Sequence, residues 1–146
     1  NEIETEDCAS ISFAMASGAL ATSSITLGAA RDETRLRFVF EHLTATSGTA
    51  PYAPGAEPWS FQARAPHRQA QLDAALSTTP YEPIGFEGFF AQIALDLAGH
   101  ENQAVTFEDG ATSVALVTAI YHSARTGRQV ELPLDPSHEL YKGWLP

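Results

Sequence analysis

The amino-acid sequence predicts an α+β fold in which an open sheet, antiparallel or mixed, carries helices packed on one face. Two observations carry that prediction. Period-two alternation of apolar and polar residues is concentrated in the first 65 positions, and helical spacing takes over after them. Strands that come first and helices that come later do not make the alternating βαβ units of a parallel sheet.

The elements follow in order. Residues 6–27 read as a hairpin, because Ile11, Phe13 and Met15 alternate with Ser10, Ser12 and Ala14, and Ser17-Gly18 supplies the turn. Its second arm is rich in Thr, Ser and Ile. A loop at 28–33 leads to a third strand at 34–43, with Leu36, Phe38 and Phe40 on one face and Arg35, Arg37, Val39 and Glu41 on the other. Residues 44–58 carry three prolines and two glycines without an apolar period, and read as an irregular excursion before a short strand at 59–65. A loop of that length in a compact domain is usually functional or mobile.

Pro66 can open a helix that runs to about Leu76, and residues 78–83 break the chain with two prolines. Phe86, Phe89, Phe90, Ile93 and Leu97 recur at helical spacing, with Gly99 placed to end a helix expected to be buried. The last helix has the clearest limits. Thr106 with Asp109 three residues on forms a cap, Gly127 stands at the far end, and Val114, Val117, Ile120, Tyr121 and Ala124 make an apolar stripe. A closing strand is expected at 129–134.

Composition narrows the function classes. The chain has 146 residues and 44% apolar content, enough for one compact domain with one core. A formal net charge of −10 argues against nucleic acid, whose phosphates are held by clustered Lys and Arg. There is no apolar run of the roughly 18 residues that a membrane helix needs, and no charged-then-apolar leader. The single cysteine, Cys8, excludes an intrachain disulfide and a Cys-based zinc site, which suits a reducing cytoplasm. A first residue of Asn1 reads as a chain processed or cut from a longer one.

Residues 119–134, Ala-Ile-Tyr-His-Ser-Ala-Arg-Thr-Gly-Arg-Gln-Val-Glu-Leu-Pro-Leu, run on to Leu-Tyr-Lys-Gly-Trp-Leu-Pro at 140–146. This stretch resembles the C-terminal end of the Gfo/Idh/MocA family of NAD(P)-dependent oxidoreductases, where a last helix ends in Ser-Ala-x-x-Gly and feeds a Val-x-Leu-Pro strand. Residues 3–8, Ile-Glu-Thr-Glu-Asp-Cys, resemble that family's acidic step into the hairpin strand. The resemblance covers nearly all of the chain but less than half of a typical family member. It implies a single C-terminal domain, 1–146, incomplete, that shapes a substrate pocket and pairs subunits. The N-terminal Rossmann domain, which in the family holds NAD or NADP, is absent.

The family's catalytic motifs are absent as well. No Gly-x-Gly-x-x-Gly lies between a strand and a helix, so dinucleotide binding by that route is not expected of this chain. The family's Glu-Lys-Pro and Asp-x-Gly-x-His-like patterns have no counterpart, and the lone lysine, Lys142, sits in the tail. No catalytic residue is therefore assigned here. Gly-x-Ser-x-Gly is absent too, which removes a hydrolase elbow.

Five positions remain as candidates for substrate binding: Arg31, Asp32, His42, Tyr52 and Trp59. Arg31 and Asp32 lie where, by the resemblance, a polar side chain points toward substrate; the plain alternative is a solvated pair in a turn. His42 could give or take a proton near neutral pH, against an ordinary residue at a strand end. Tyr52, Glu57 and Trp59 could form an aromatic, hydrogen-bonding wall for a sugar or polyol. The alternative is a loop that uses its Trp to hold itself on the sheet. His67 and Arg68 open a helix and are expected to be exposed, while His100, His122 and His138 are scattered, so no metal site is expected.

The leading expectation is thus the substrate-binding and oligomerising part of an NAD(P)-dependent dehydrogenase for a sugar, inositol or related polyol, inactive alone. The small or apolar outward positions Ala14, Leu20 and Val39 suit a homo-oligomer formed through the sheet face. The rival expectation is a stand-alone, non-catalytic dimerising or binding module of the same fold.

Overall fold

The computed structural model describes residues 6–80 and 82–143, and they form an α+β architecture of small antiparallel sheets and helices. Internal contacts divide the chain into two units, one from residues up to Gly28 together with those from Val105 onward, the other Ala29–Ala104. No helix among the described residues is long and apolar enough to cross a membrane.

In the first unit, β1 (Cys8–Ala14) and β2 (Leu20–Thr26) pair as the expected hairpin. The turn is closed by Gly18 N–H donating to the Met15 carbonyl at 2.8 Å and Met15 N–H to that of Ala19 at 2.9 Å. The register puts Ile11 opposite Ser23 and Phe13 opposite Ala21 on the half-buried face. Ala14 and Leu20 face each other on the exposed side, as the alternation requires.

Helix α3 (Phe107–Thr126) belongs to the same unit and is closed at both ends by its own sequence. Thr106 Oγ1 accepts from Asp109 N–H while the Asp109 carboxylate accepts from Thr106 N–H, a reciprocal capping box. Gly127 takes a left-handed conformation, φ 65°, and donates its N–H to the Ser123 carbonyl at 2.8 Å. Any side chain there would meet the carbonyl sterics that disfavour left-handed backbone. The Tyr121 hydroxyl donates to Glu6 Oε2 at 2.9 Å, joining α3 to the segment before β1. The strand expected at 129–134 does not form: Pro133 has no N–H to give a ladder, and no neighbouring strand pairs with this segment.

In the second unit, β3 (Arg37–Val39), β4 (Leu43–Thr46) and β5 (Ser60–Ala63) make a sheet in that order. The expected strand over 34–43 is therefore cut short. The chain reverses at Glu41-His42, where Phe40 N–H donates to the Leu43 carbonyl at 2.9 Å. That two-residue turn holds none of the Gly, Asn or Asp that usually announce one, so the alternation reads straight through it. The excursion expected at 44–58 begins with β4. Its Thr-Ala-Thr lacks apolar alternation because Ala45 lies beneath aromatic rings from both flanking strands.

The register aligns Phe38, Ala45 and Phe61 across one face. Over the small Ala45 the rings close in a row, with Phe40 to Phe38 at 6.3 Å, Phe38 to Trp59 at 5.9 Å and Trp59 to Phe61 at 6.5 Å between centroids. Offset rings at such distances add about 0.5–1.5 kcal/mol per pair beyond their burial. A single 3-10 turn at Pro66–Arg68 leads into α1 (Gln69–Ser77). Gln69 fixes that helix to the edge of β5, its Oε1 accepting from Ala63 N–H at 2.8 Å and its Nε2 donating to the Phe61 carbonyl at 3.1 Å.

Helix α2 (Gly85–Leu97) forms where its spacing predicts, and it stops in a Schellman arrangement. His100 N–H reaches the Leu95 carbonyl at 3.0 Å and Gly99 N–H that of Asp96 at 2.9 Å. The expected burial of α2 is overturned. Phe86 is 80% exposed, Phe90 61% and Leu97 83%, because no described element covers that face. The wider pattern is the same. The chain exposes 12446 Å², whereas two compact bodies of half its mass would together expose roughly 8,700 Å². Among the described residues no large side chain is fully buried, and the most enclosed positions are Ala45, Ser47, Thr118 and Ala119.

Candidate functional site

The second unit holds all five sequence candidates, and one end of its sheet gathers the loop ones. Residues 31–35 and 47–57 run side by side there. Thr34 N–H donates to the Thr49 carbonyl at 3.4 Å, and Thr34 Oγ1 accepts from Tyr52 N–H at 3.0 Å. Ser47 ties the base of this corner, its Oγ accepting from Leu36 N–H at 2.8 Å and its own N–H donating to the Leu36 carbonyl at 2.9 Å.

Glu57 folds back over the loop. Its Oε2 accepts from Thr49 N–H at 2.6 Å, and its side chain lies so close to Gly48 that a Cβ at that position would collide with Glu57 Oε2 and Cβ. The loop is thereby drawn into a closed corner. Tyr52 sits near its tip with φ 58°, a left-handed conformation that costs a non-glycine residue of order 1–3 kcal/mol. Its ring is 84% exposed.

Arg31 and Arg35 both bind Glu33, at 3.0 and 2.6 Å. The first pair is largely solvated, so its weight is in orienting the guanidinium and not in stability. Asp32 is exposed beside them. The joined loops therefore carry an exposed guanidinium oriented by Glu33, an exposed carboxylate, a threonine hydroxyl and an open phenol. These are groups suited to a neutral, hydroxyl-rich molecule held by charge-assisted hydrogen bonds and ring contact.

His42 and Trp59 are placed differently. His42 occupies the β3–β4 turn at the opposite end of the strands, where its Nε2 lies 3.7 Å from Glu41 Oε1 and both side chains are solvated. Its carbonyl accepts from Arg64 N–H at 2.8 Å, and Arg64 Nη1 donates to the Glu41 carbonyl at 3.1 Å. Trp59 is half-buried in the ring row, stacked on Phe38 and Phe61. The structure thus joins, through Thr34, the loops that carry Arg31, Asp32 and Tyr52, and leaves His42 at the other end of the strands and Trp59 in the ring row. Thr34 and Glu33, which join the two loops and orient the arginines, carried no signal in the sequence beyond their place at a strand entry.

No nucleophile, base and oxyanion donor converge in that corner. A dinucleotide cradle needs glycine at a strand-to-helix step. The step from β5 into the Pro66 turn is Arg64-Ala65 and has none. No group of three or more His, Cys, Asp or Glu residues able to hold a metal occurs among the described residues.

Among the described residues, the perturbed ionisable groups lie in the other unit. Asp109 is held below the ordinary carboxylate range by the backbone N–H of Thr106 and then its hydroxyl. Glu6 is held below it by its own backbone N–H and then by the Tyr121 hydroxyl. Tyr121 is pushed up by donating to Glu6. Ser137, through its side chain and then its N–H, keeps Asp135 low. Each of these perturbers is a cap, turn or tether that holds backbone, so the shifts mark structure and not a reacting centre. Compared with family models, with curated proteins and with solved structures, the chain finds no match.

Proposed function

We propose that this chain is the substrate-shaping and subunit-pairing part of an NAD(P)-dependent oxidoreductase similar to the Gfo/Idh/MocA family, acting in the cytoplasm on a sugar, inositol or related polyol. The observation that carries the reading is the corner built by Arg31, Thr34 and Tyr52. It offers recognition groups for hydroxyls with no group placed to move a proton or hydride. Chemistry would come from a nucleotide held by another part of the enzyme, which supplies the hydride acceptor. The residues here would orient the substrate.

The uncovered apolar faces support the pairing role. Leu20, Val39, Phe86 and Phe90 are each more than half exposed, and apolar area of that kind marks an interaction surface. Of these, Leu20 on β2 and Val39 on β3 suit a homo-oligomer formed through a sheet face.

The test is steady-state kinetics of the protein translated from the whole reading frame, assayed with NAD and NADP against a panel of polyols. Arg31→Ala and Tyr52→Ala are expected to raise KM about tenfold at unchanged kcat, the signature of lost uniform binding. His42→Ala is expected to change neither. Turnover by the 146-residue chain with nucleotide and polyol alone would refute the reading. Absence of any nucleotide-dependent activity in the longer protein would leave the stand-alone dimerising module in its place.

A further inference from the structure

The first unit contains an open cavity of about 640 Å³ beside the C-terminal end of α3, lined by His122, Thr126, Arg128, His138 and Glu139. None of these residues takes part in the polyol corner. Three of them carry N–H donors, and the geometry fixes which atoms remain for a ligand.

His122 lies 3.1 Å through Nδ1 from Glu139 Oε1, so that nitrogen donates to the carboxylate and Nε2 is left over. His138 Nδ1 accepts the Leu140 N–H at 3.2 Å, which places the proton of the neutral ring on Nε2. The two rings meet edge to face with centroids 4.7 Å apart, so each limits the other's rotation. Arg128, immediately after the left-handed Gly127, supplies a fixed positive charge.

Two features oppose an anion here, and both are partly engaged by hydrogen bonds. Glu139 is engaged by His122. The exposed carbonyls at the end of α3 carry the negative end of the helix dipole, but that of His122 accepts the Thr126 hydroxyl at 2.8 Å and that of Ser123 the Gly127 N–H at 2.8 Å. A metal ion is disfavoured because the His138 tautomer points N–H, not a lone pair, away from its own backbone bond.

We propose that this cavity is a binding site for a small oxyanion, a carboxylate or phosphate group, held by Arg128 and the His138 Nε2–H, with the His122 ring, fixed by Glu139, forming the wall beside them. The group could belong to a free ion or to a larger molecule that carries it. Recognition rests on the charged Arg128 donors and the His138 N–H lining one cavity.

The experiment is a proton NMR titration of the full chain, following the imidazole resonances of His122 and His138, with inorganic phosphate and separately with acetate at constant ionic strength. Saturable shifts of both rings with either anion are expected, and the anion that saturates tells phosphate recognition from carboxylate recognition. Arg128→Gln, at an exposed position, is expected to weaken that binding about tenfold or more, the scale of one lost charged hydrogen bond. Arg68→Gln, in the other unit, is expected to leave it unchanged. Shifts that rise linearly without saturation for both anions would overturn the proposal. So would equal binding by Arg128→Gln, or saturation by zinc ion where neither anion saturates.

Discussion

Helices α3 and α2 are both amply supplied with apolar residues, yet one is completed by its own sequence and the other is not. Helix α3 has a capping box at one end, a left-handed glycine at the other, and buried Thr118 and Ala119 in between. Helix α2 ends well, through Gly99 and His100, but starts from Ile84 with no side-chain cap and turns Phe86 and Phe90 to solvent. Local signals decide where a helix starts and stops. What covers its face is decided by other parts of a molecule, and among the described elements none covers that of α2.

The sharpest test replaces the two stop glycines. Gly127→Val and Gly99→Val should each cost about 2 kcal/mol, since both positions hold left-handed backbone. Urea unfolding midpoints measure both. A clearly smaller loss at Gly99 would mean that α2 is held less firmly than its Schellman bonds suggest. Thr106→Ala should follow at about 1 kcal/mol, and Asp109→Ala on top of it should add little, because the box is one reciprocal unit.

Acid should separate the two units next. Asp109 and Glu6 have folded-state values below their ordinary ones, so the stability they contribute is complete above the ordinary carboxylate range. It is lost as pH falls through the lowered values, below about pH 4. Thermal melts between pH 7 and 3 should lose part of this acid slope in Tyr121→Phe and in Thr106→Ala. An unchanged slope in both would place the acid-sensitive groups elsewhere.

The smallest stability effect is expected at the exposed phenylalanines. Phe86→Ser and Phe90→Ser should each alter the unfolding free energy of the chain by about 0.5 kcal/mol, the scale of the solvent-exposed ring contacts among Phe86, Phe89 and Phe90. In sedimentation runs the same variants should reduce self-association if that face is a contact between copies. A large loss of stability instead would show that α2 has cover within its own chain.

Much of the architecture was legible because it is written in local chemistry. The hairpin declared itself through Ile11 and Phe13 against Ser10 and Ser12, and α3 through Thr106, Asp109 and Gly127. The β3–β4 turn at Glu41-His42 was not, since its residues are not turn formers and the alternation ran through it. Neither was β4, whose buried Ala45 draws its environment from Phe38 and Phe61 in the flanking strands. The polar corner was half legible. Arg31 and Tyr52 stood out as residue types in loops, but Thr34, which brings those loops together, acts through one hydroxyl that no pattern announces. His122 and His138 looked unrelated because they stand sixteen positions apart in the chain, and the turn after α3 is what sets their rings edge to face.

The ring row over Ala45 also gives this protein an optical readout. Trp59 is sandwiched between Phe38 and Phe61, so its emission depends on three strands keeping register at once. With Trp144 replaced by Phe, the indole at 59 becomes the sole tryptophan emitter. Any ligand, partner or denaturant that spreads those strands will then announce itself as a shift toward longer wavelength.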